Sequence, residues 1–239
     1  MIPAYNEQPR IGTTLDKIVR YLKQQSYKWE IIVVDDGSTD GTDAIVAGQH
    51  GRDNRIRLVK QVHIGKGGAV RRGMLAARGK RRMLCDADLA MPIVSLDRFL
   101  QKLSEGYDIA IGSREIAGAN RFNEPSTRHW IGRVFNWVVR ILAVRRFQDT
   151  QCGYKCFTSE SAQVLFGLQR TKGFGFDVEI LFLAQQKGLS VSEIPIDWYH
   201  QPGSKVRPIQ DGFAMFKDVL ALRLMSLCGR YNSTGESLT

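Results

Sequence analysis

Four times within the first 114 residues a short apolar run breaks off into a polar or glycine-containing turn, with a stretch of helical periodicity beside it. The apolar runs are 31–34, 56–61, 81–88 and 107–114. The helical stretches are 13–25, where Leu15, Ile18, Val19 and Leu22 share one face, and 43–49, 65–79 and 95–106. Strands that alternate with helices in this way form a doubly wound, mainly parallel sheet with flanking helices. The opening residues, IPAYNE, read as the end of a first strand whose apolar beginning is missing.

Sheets of this kind bind ligands at the carboxyl ends of their strands. Three strands here end in charged or hydroxyl groups: Asp35 and Asp36, Asp86 and Asp88, Ser113 and Arg114. The sharpest case is MLCDADLAMP, residues 83–92. Aspartate suits neither a pleated buried surface nor a ladder, and two at i and i+2 fall on the same side of an extended chain. Close carboxylates are costly unless a cation lies between them, so the pair either holds a metal or cationic group or consists of solvated loop residues.

Charge narrows the partners. With 34 basic against 24 acidic residues the chain carries +10, which suits nucleic acid, a phosphate-bearing ligand or an anionic membrane surface. The run Arg71, Arg72, Arg78, Lys80, Arg81 and Arg82 has no interleaved aromatics and reads as a solvated face, so no nucleic acid is expected. GKGGAVRRG, residues 65–73, matches neither a phosphate-binding P-loop nor a dinucleotide fingerprint. It is a glycine turn that could hold a phosphate on helix N-terminal amides beside Lys66, or a plain strand–helix turn. A long loop with Arg114, Arg121 and Arg128, and a second with Lys205 and Arg207, suit bidentate phosphate recognition.

Two segments, 128–147 and 211–227, mix large apolar residues with cations and fit either membrane-surface helices or helices buried on the sheet. No apolar window is long enough for a transmembrane helix, and no signal peptide opens the chain. Four cysteines make no disulfide scaffold and are expected as reduced structural thiols. A single domain over 1–227 followed by a polar, unstructured tail over 228–239 is the economical organisation.

The ordered set IPAYNE, VVDDGSTDGT, GKGGAVRRG, DAD, GSR, DTQCGYKCF, FGFDVEILF and GSKVRPIQDG closely resembles inverting family 2 glycosyltransferases, and within them the dolichyl- and polyprenyl-phosphate sugar synthases, the glucosyl-transferring members above all. The likeness extends to about residue 225, and it is the ordered set that is specific. It implies a GT-A, Rossmann-like α/β fold with C-terminal amphipathic helices, and a Mg²⁺ or Mn²⁺ cofactor. Carried over by position, Pro3, Tyr5 and Glu7 line the nucleotide pocket, with Val33 and Asp35 on base and ribose. Asp86, Ala87 and Asp88 form the DxD-type signature with Asp88 as metal ligand, and Arg114, Arg128, Lys205 and Arg207 hold phosphates. The implied reaction moves one hexose, glucose from UDP-glucose before others, to a dolichyl or polyprenyl phosphate at the cytoplasmic face of a membrane.

Two departures bear on the donor. Where mannosyl relatives place a metal-binding glutamine two residues past the signature, this chain has Ala90, which weakens the case for GDP-mannose. The Gln-x-x-Arg-Trp motif of processive synthases is absent. A lipid monophosphate is already largely ionised near neutrality, with a second pKa of roughly 6 as for phosphorylated side chains, so arginines that place it in line with C1 suffice. A hydroxyl acceptor would need a base. Asp149 is the candidate, with pairing to a nearby arginine an equal alternative. GDP-mannose-dependent transfer, a soluble transferase acting on a hydroxyl, and a nucleotide- or RNA-binding α/β module are the competing readings.

Overall fold

A computed structural model describes residues 1–123, 139, 143–144, 146–201 and 208–231. Strand β1 (Ile2–Ala4) pairs in parallel with β2 (Ile31–Asp35), which pairs in parallel with β3 (Ile56–Lys60). On the other side of β1 the Met1 amine donates to Met83 O at 2.7 Å, and Cys85 N donates to Met1 O at 3.0 Å. These bonds stitch β1 to β4 (Arg81–Leu84). From there the sheet continues through β7 (Lys155–Thr158) and β5 (Ile109–Ser113) to β8 (Val191–Pro195). Only β7 runs against its neighbours. A short parallel ribbon, β6 (Asn120–Phe122) with β9 (Asp197–Tyr199), lies beyond β8, and Tyr199 N donates to Ala90 O at 2.8 Å.

The helices cover both faces. Helix α1 (Gln8–Leu22) begins with Pro9, whose missing N–H costs nothing in a first turn, and buries Ile11, Leu15, Ile18 and Leu22 at helical spacing. Helix α2 (Thr42–Arg52), α3 (Lys66–Ala76) and α4 (Leu96–Ser104) follow their strands as the alternation implied. Helix α5 (Ser159–Leu168) starts on a Thr158 side-chain cap that accepts from Ser161 N, and α6 (Phe176–Gln186) is buried on nearly every face. The fold is α/β, mainly parallel, with flanking helices, as read from the first half of the chain.

Several boundaries differ from the sequence reading. Strand β4 stops at Leu84, not Asp88. Asp88 therefore sits on a turn, and Leu89 follows it with φ +46, a left-handed conformation costly for a branched residue. The expected helix at 211–227 is α7 (Pro208–Leu227). Its inner face buries Met215, Val219 and Leu222, while Phe213, Leu220, Leu224 and Leu227 stand exposed. Of the other amphipathic segment, Val139, Ala143, Val144 and Phe147 are core residues, so its described part packs on the protein. The polar tail starts later than residue 228. Tyr231 is 1% exposed, and its hydroxyl donates to Glu179 at 2.6 Å. The thiols of Cys85, Cys152 and Cys156 are free and buried, and burial pushes each up to about 12, so they stay neutral packing groups.

Candidate functional site

The carboxyl edge of the sheet carries two polar clusters. The first lies over β1, β2 and β3. Asp36, just past β2 and 2% exposed, accepts three hydrogen bonds on its carboxylate, from Gln61 Nε2 (2.6 Å) and the amides of Ile64 (3.0 Å) and Gly65 (2.9 Å), while His63 Nδ1, 2.8 Å from Oδ2, hydrogen-bonds the Asp36 carbonyl at 3.1 Å. The loop after β3 is thus folded around one buried carboxylate. The His63 ring lies stacked on Tyr5, centroids 4.2 Å apart, and both rings reach solvent. Opposite them Asn6, at φ +52, ties the end of β1 to the loop after β2: Asn6 N donates to Ser38 Oγ, and Thr39 N to Asn6 Oδ1. Glu7 joins the same wall, its amide donating to Thr42 Oγ1 and its carboxylate pairing with Arg10 at 2.8 Å. Asp35 is enclosed at the strand end, with Ser38 N at 3.4 Å from its Oδ1.

The second cluster lies over β4, β7 and β5. Lys66 Nζ stands 2.7 Å from Asp86 Oδ1. Burial opposes the charge on Lys66, but Asp86 and Asp177 outweigh it and raise the ammonium well above its usual range. Deeper in, Lys155 and Asp177 form an ion pair in which each side chain is enclosed. Carboxylates and ammoniums therefore alternate from the core out to the DAD turn. Asp88 is the member without a direct ion pair: among the described residues its carboxylate accepts a single hydrogen bond, from Ala90 N at 3.1 Å, and Lys66 and Arg10 act on it only from farther off. Burial, and after it the neighbouring Asp86, raise its carboxyl above the ordinary range. A site so arranged favours an added cation.

Backbone makes room for this. A Cβ on Gly153 would meet Asp86 Oδ2 at 1.9 Å, so only glycine lets the loop before β7 pass beneath that carboxylate. The same loop starts at Asp149, whose two oxygens take Arg114 in a fork, Nε at 2.7 Å and Nη2 at 3.0 Å. Burial would raise the Asp149 carboxyl, yet Arg114 prevails and holds it down to about 2. A carboxylate so clamped is a poor proton acceptor. Of the two alternatives for Asp149, the structure contains the pairing with Arg114.

Other sequence readings are corrected too. Val33 is fully enclosed among Ile2, Ile31 and Ile56, so its side chain cannot face a base or ribose. Pro3 is likewise buried in its strand, and Ala87 is a core residue whose carbonyl accepts from Thr14 Oγ1 at 2.7 Å. The glycine turn at 65–73 packs closely on the segment 171–173: Gly68 N donates to Lys172 O, and Cβ atoms on Gly65 and Gly67 would strike backbone oxygens there. Arg71 and Arg82 donate to the carbonyls of Phe166 and Met74 and serve the fold. Arg128, Lys205 and Arg207 lie outside the described residues.

The reading of the sequence missed His63, Gly153, Lys155 and Asp177. A histidine two residues before a glycine turn gives no signal until Asp36 is seen to orient it. The alternation Asp86, Lys66, Asp177, Lys155 is spread over 112 positions (66 to 177) and exists only in the fold. Among the described residues no three His, Cys, Asp or Glu side chains gather as a metal cage. The oxygen donors of Asp88 and Asp86 still fit a hard divalent ion, which is commonly held by one or two carboxylates and completed by substrate phosphates.

Comparison with known proteins adds three findings. The family model described as glycosyl transferase family 2 matches residues 1–166. Dolichyl-phosphate beta-glucosyltransferase of Dictyostelium discoideum is 35% identical over 243 residues, 96% of this chain and 74% of that one. The proteins of that name from Saccharomyces cerevisiae and Homo sapiens are 34% and 33% identical, each over 97% of this chain and 75% and 76% of their own. In fold, glucosyl-3-phosphoglycerate synthase from Mycobacterium tuberculosis, crystallised with Mn²⁺ and UDP-glucose, superposes with a TM-score of 0.65 at 22% identity, over 95% of this chain and 77% of that one.

Proposed function

The chain belongs to glycosyl transferase family 2 and is a glycosyltransferase, and from that premise we propose that it moves one glucose, with inversion, from UDP-glucose to a dolichyl or other polyprenyl phosphate. Supporting the acceptor and the sugar are relatives named for that reaction, matched along nearly the whole chain. Supporting the nucleotide and a divalent metal is the similar fold crystallised with Mn²⁺ and UDP-glucose.

The single observation that carries the reading is the charge arrangement at the DAD turn. Asp86 is neutralised by Lys66, and Asp88, partly buried just past the end of β4, has no ion-pair partner among the described residues. Asp88 would hold Mg²⁺ or Mn²⁺, with Asp86 beside it. When bound there, the ion acts as a Lewis acid on the departing diphosphate. Tyr5, Glu7 and Asp35 form the wall that receives the nucleoside, and Tyr5 offers its ring for stacking. Lys66 supplies a fixed positive charge next to the diphosphate. Arg114, held rigid by Asp149, contributes a second one at the end of β5. The acceptor monophosphate is already anionic, so these residues orient it and exclude water, and no proton acceptor is assigned. Arg128, Lys205 and Arg207 remain proposed phosphate ligands.

No described helix is long and apolar enough to cross a membrane. The exposed stripe of α7 is proposed to rest on the cytoplasmic face of the bilayer, a peripheral contact that brings the cleft to a lipid-borne phosphate. The test is to incubate purified protein with Mg²⁺ or Mn²⁺, labelled UDP-glucose and a polyprenyl phosphate. Label in an organic-extractable, acid-labile product is expected. Label that stays aqueous with this acceptor but reaches lipid from another nucleotide sugar overturns the donor. Label that reaches only hydroxyl acceptors overturns the lipid.

A further inference from the structure

The proposed metal and nucleotide site lies toward the end of α6 where Asp177 pairs with Lys155 and Phe176 meets the glycine turn. The opposite end of that helix, about 15 Å away at 1.5 Å per residue, borders a separate groove of about 390 Å³. Its lining comes from three parts of the chain: Ala143 and Arg146, Phe182 and Gln185 of α6, and Arg223 and Ser226 of α7. Arg223 lies over the Phe182 ring at 5.7 Å, and Gln186 Nε2 donates to Ser226 Oγ at 2.5 Å, so the floor is fixed by contacts of its own. Two guanidiniums and two neutral amides line this space, and no carboxylate does. Both segments read as amphipathic from the sequence send their C-terminal ends here.

The surroundings limit what such a groove can take. Leu220, Leu224 and Leu227, at spacings of four and three residues, form an exposed apolar stripe that runs along α7 past Arg223. A soluble anion has no use for this stripe. An anionic lipid uses both: its phosphate meets the two arginines, which suit phosphate through planar donor forks, and its acyl chains follow the leucines. We infer that this groove is a headgroup site for an anionic phospholipid, distinct from the acceptor site and set at the other end of α7. The helix, 20 residues and so about 30 Å long, would lie flat on the bilayer with the cleft near its first turns and the headgroup site near its last. The site would fix the protein's rotation on the surface, so that the cleft faces an acceptor phosphate.

This inference rests on the peripheral contact proposed for α7, and the experiment separates the two. Full-length protein is sedimented with phosphatidylcholine vesicles containing or lacking phosphatidylserine, and R146Q, R223Q and the exposed, remote control R98Q are compared. Binding should favour phosphatidylserine, and R146Q and R223Q should each weaken it about five-fold, with R98Q near wild type and UDP binding by calorimetry unchanged in all. Equal losses in R98Q mean net charge alone and overturn the site. Binding to both vesicle types without preference overturns the site but keeps the peripheral contact. No binding to any vesicle overturns both. If inorganic phosphate raises the melting temperature of wild type but not of R146Q or R223Q, and vesicle binding is the same in all three, the groove takes a soluble phosphate and the lipid assignment falls.

Discussion

Asp36 and Asp88 are both aspartates just beyond the end of a sheet strand, and each is the second acid of its motif, yet the molecule treats them in opposite ways. Around Asp36 three donors converge, two of them backbone amides, with the His63 ring beside them, and its charge is spent on folding the loop after β3. Around Asp88 the protein provides one amide, a like charge, partial burial and only the more distant charges of Lys66 and Arg10. The first arrangement stabilises a carboxylate within the protein. The second leaves its stabilisation to something that arrives. A strand-end acid therefore announces function through the hydrogen bonds it lacks as much as through its position.

The contrast can be broken most directly at Asp88. D88N should lower glucosyl transfer by about a thousandfold or more, the scale for removing a main electrostatic element of a site, while the protein melts no lower than wild type at pH 7. The sign follows from linkage. A carboxyl raised in the folded state opposes folding above its unfolded pKa of about 4, and that opposition fades as pH falls toward that value. Any thermal gain of D88N at pH 7 should therefore shrink toward pH 4, and Mn²⁺ should raise the melting temperature of wild type only. A metal-independent melt in wild type would remove Asp88 from the role given to it.

Next comes Gly153. In G153A the new methyl group displaces Asp86, and a shift of about 1 Å can cost a hundredfold in rate. Transfer should fall by that order in a protein whose far-UV spectrum is unchanged. Retained activity would mean that Asp86 has freedom the packing denies it. D36N tests the other side of the contrast: about 2 kcal/mol of stability should vanish, as when a charged hydrogen-bond acceptor is removed, a fall of roughly 6 °C in Tm. Turnover at saturating donor should change little. A D36N protein that melts like wild type but does not turn over would reverse the assignment.

The smaller effects sharpen the picture. H63A removes a stacked ring worth about 1 kcal/mol and should raise the donor KM by roughly five-fold with kcat kept, whereas H63F should restore most of the difference. Asp149 should be silent. Its stabilising pair with Arg114 is complete above the ordinary carboxylate pKa of about 4 and fades only as pH falls through about 2, so a pH–rate profile from pH 5 to 9 should contain no Asp149 ionisation. An acid limb that D149N abolishes would restore it as a base.

Much of the first half was legible because its signals are local. The run Ile31–Val34 becomes the fully buried strand β2, and Leu96, Phe99 and Leu103 recur at helical spacing on α4. The end of β4 was not legible, because Cys85 continues the apolar run in the sequence while the chain there already turns toward Leu89. Nor was β7, an antiparallel strand between β4 and β5 whose partners lie 44 to 77 positions away. Lys155 inside it would be an improbable core residue without Asp177 to neutralise it.

Hydrophobic periodicity, turn chemistry and the order of the motifs belong to the sequence by itself. They settle the α/β architecture and the family, because each depends on residues close along the chain or on their order. Which acids are paired within the protein and which are left without an ion-pair partner was decided only by tertiary structure. A carboxylate's role depends on the donors and cations brought within about 3 Å of it, and here those come from segments far apart: Lys66 to Asp86, Arg114 to Asp149, and none to Asp88 among the described residues.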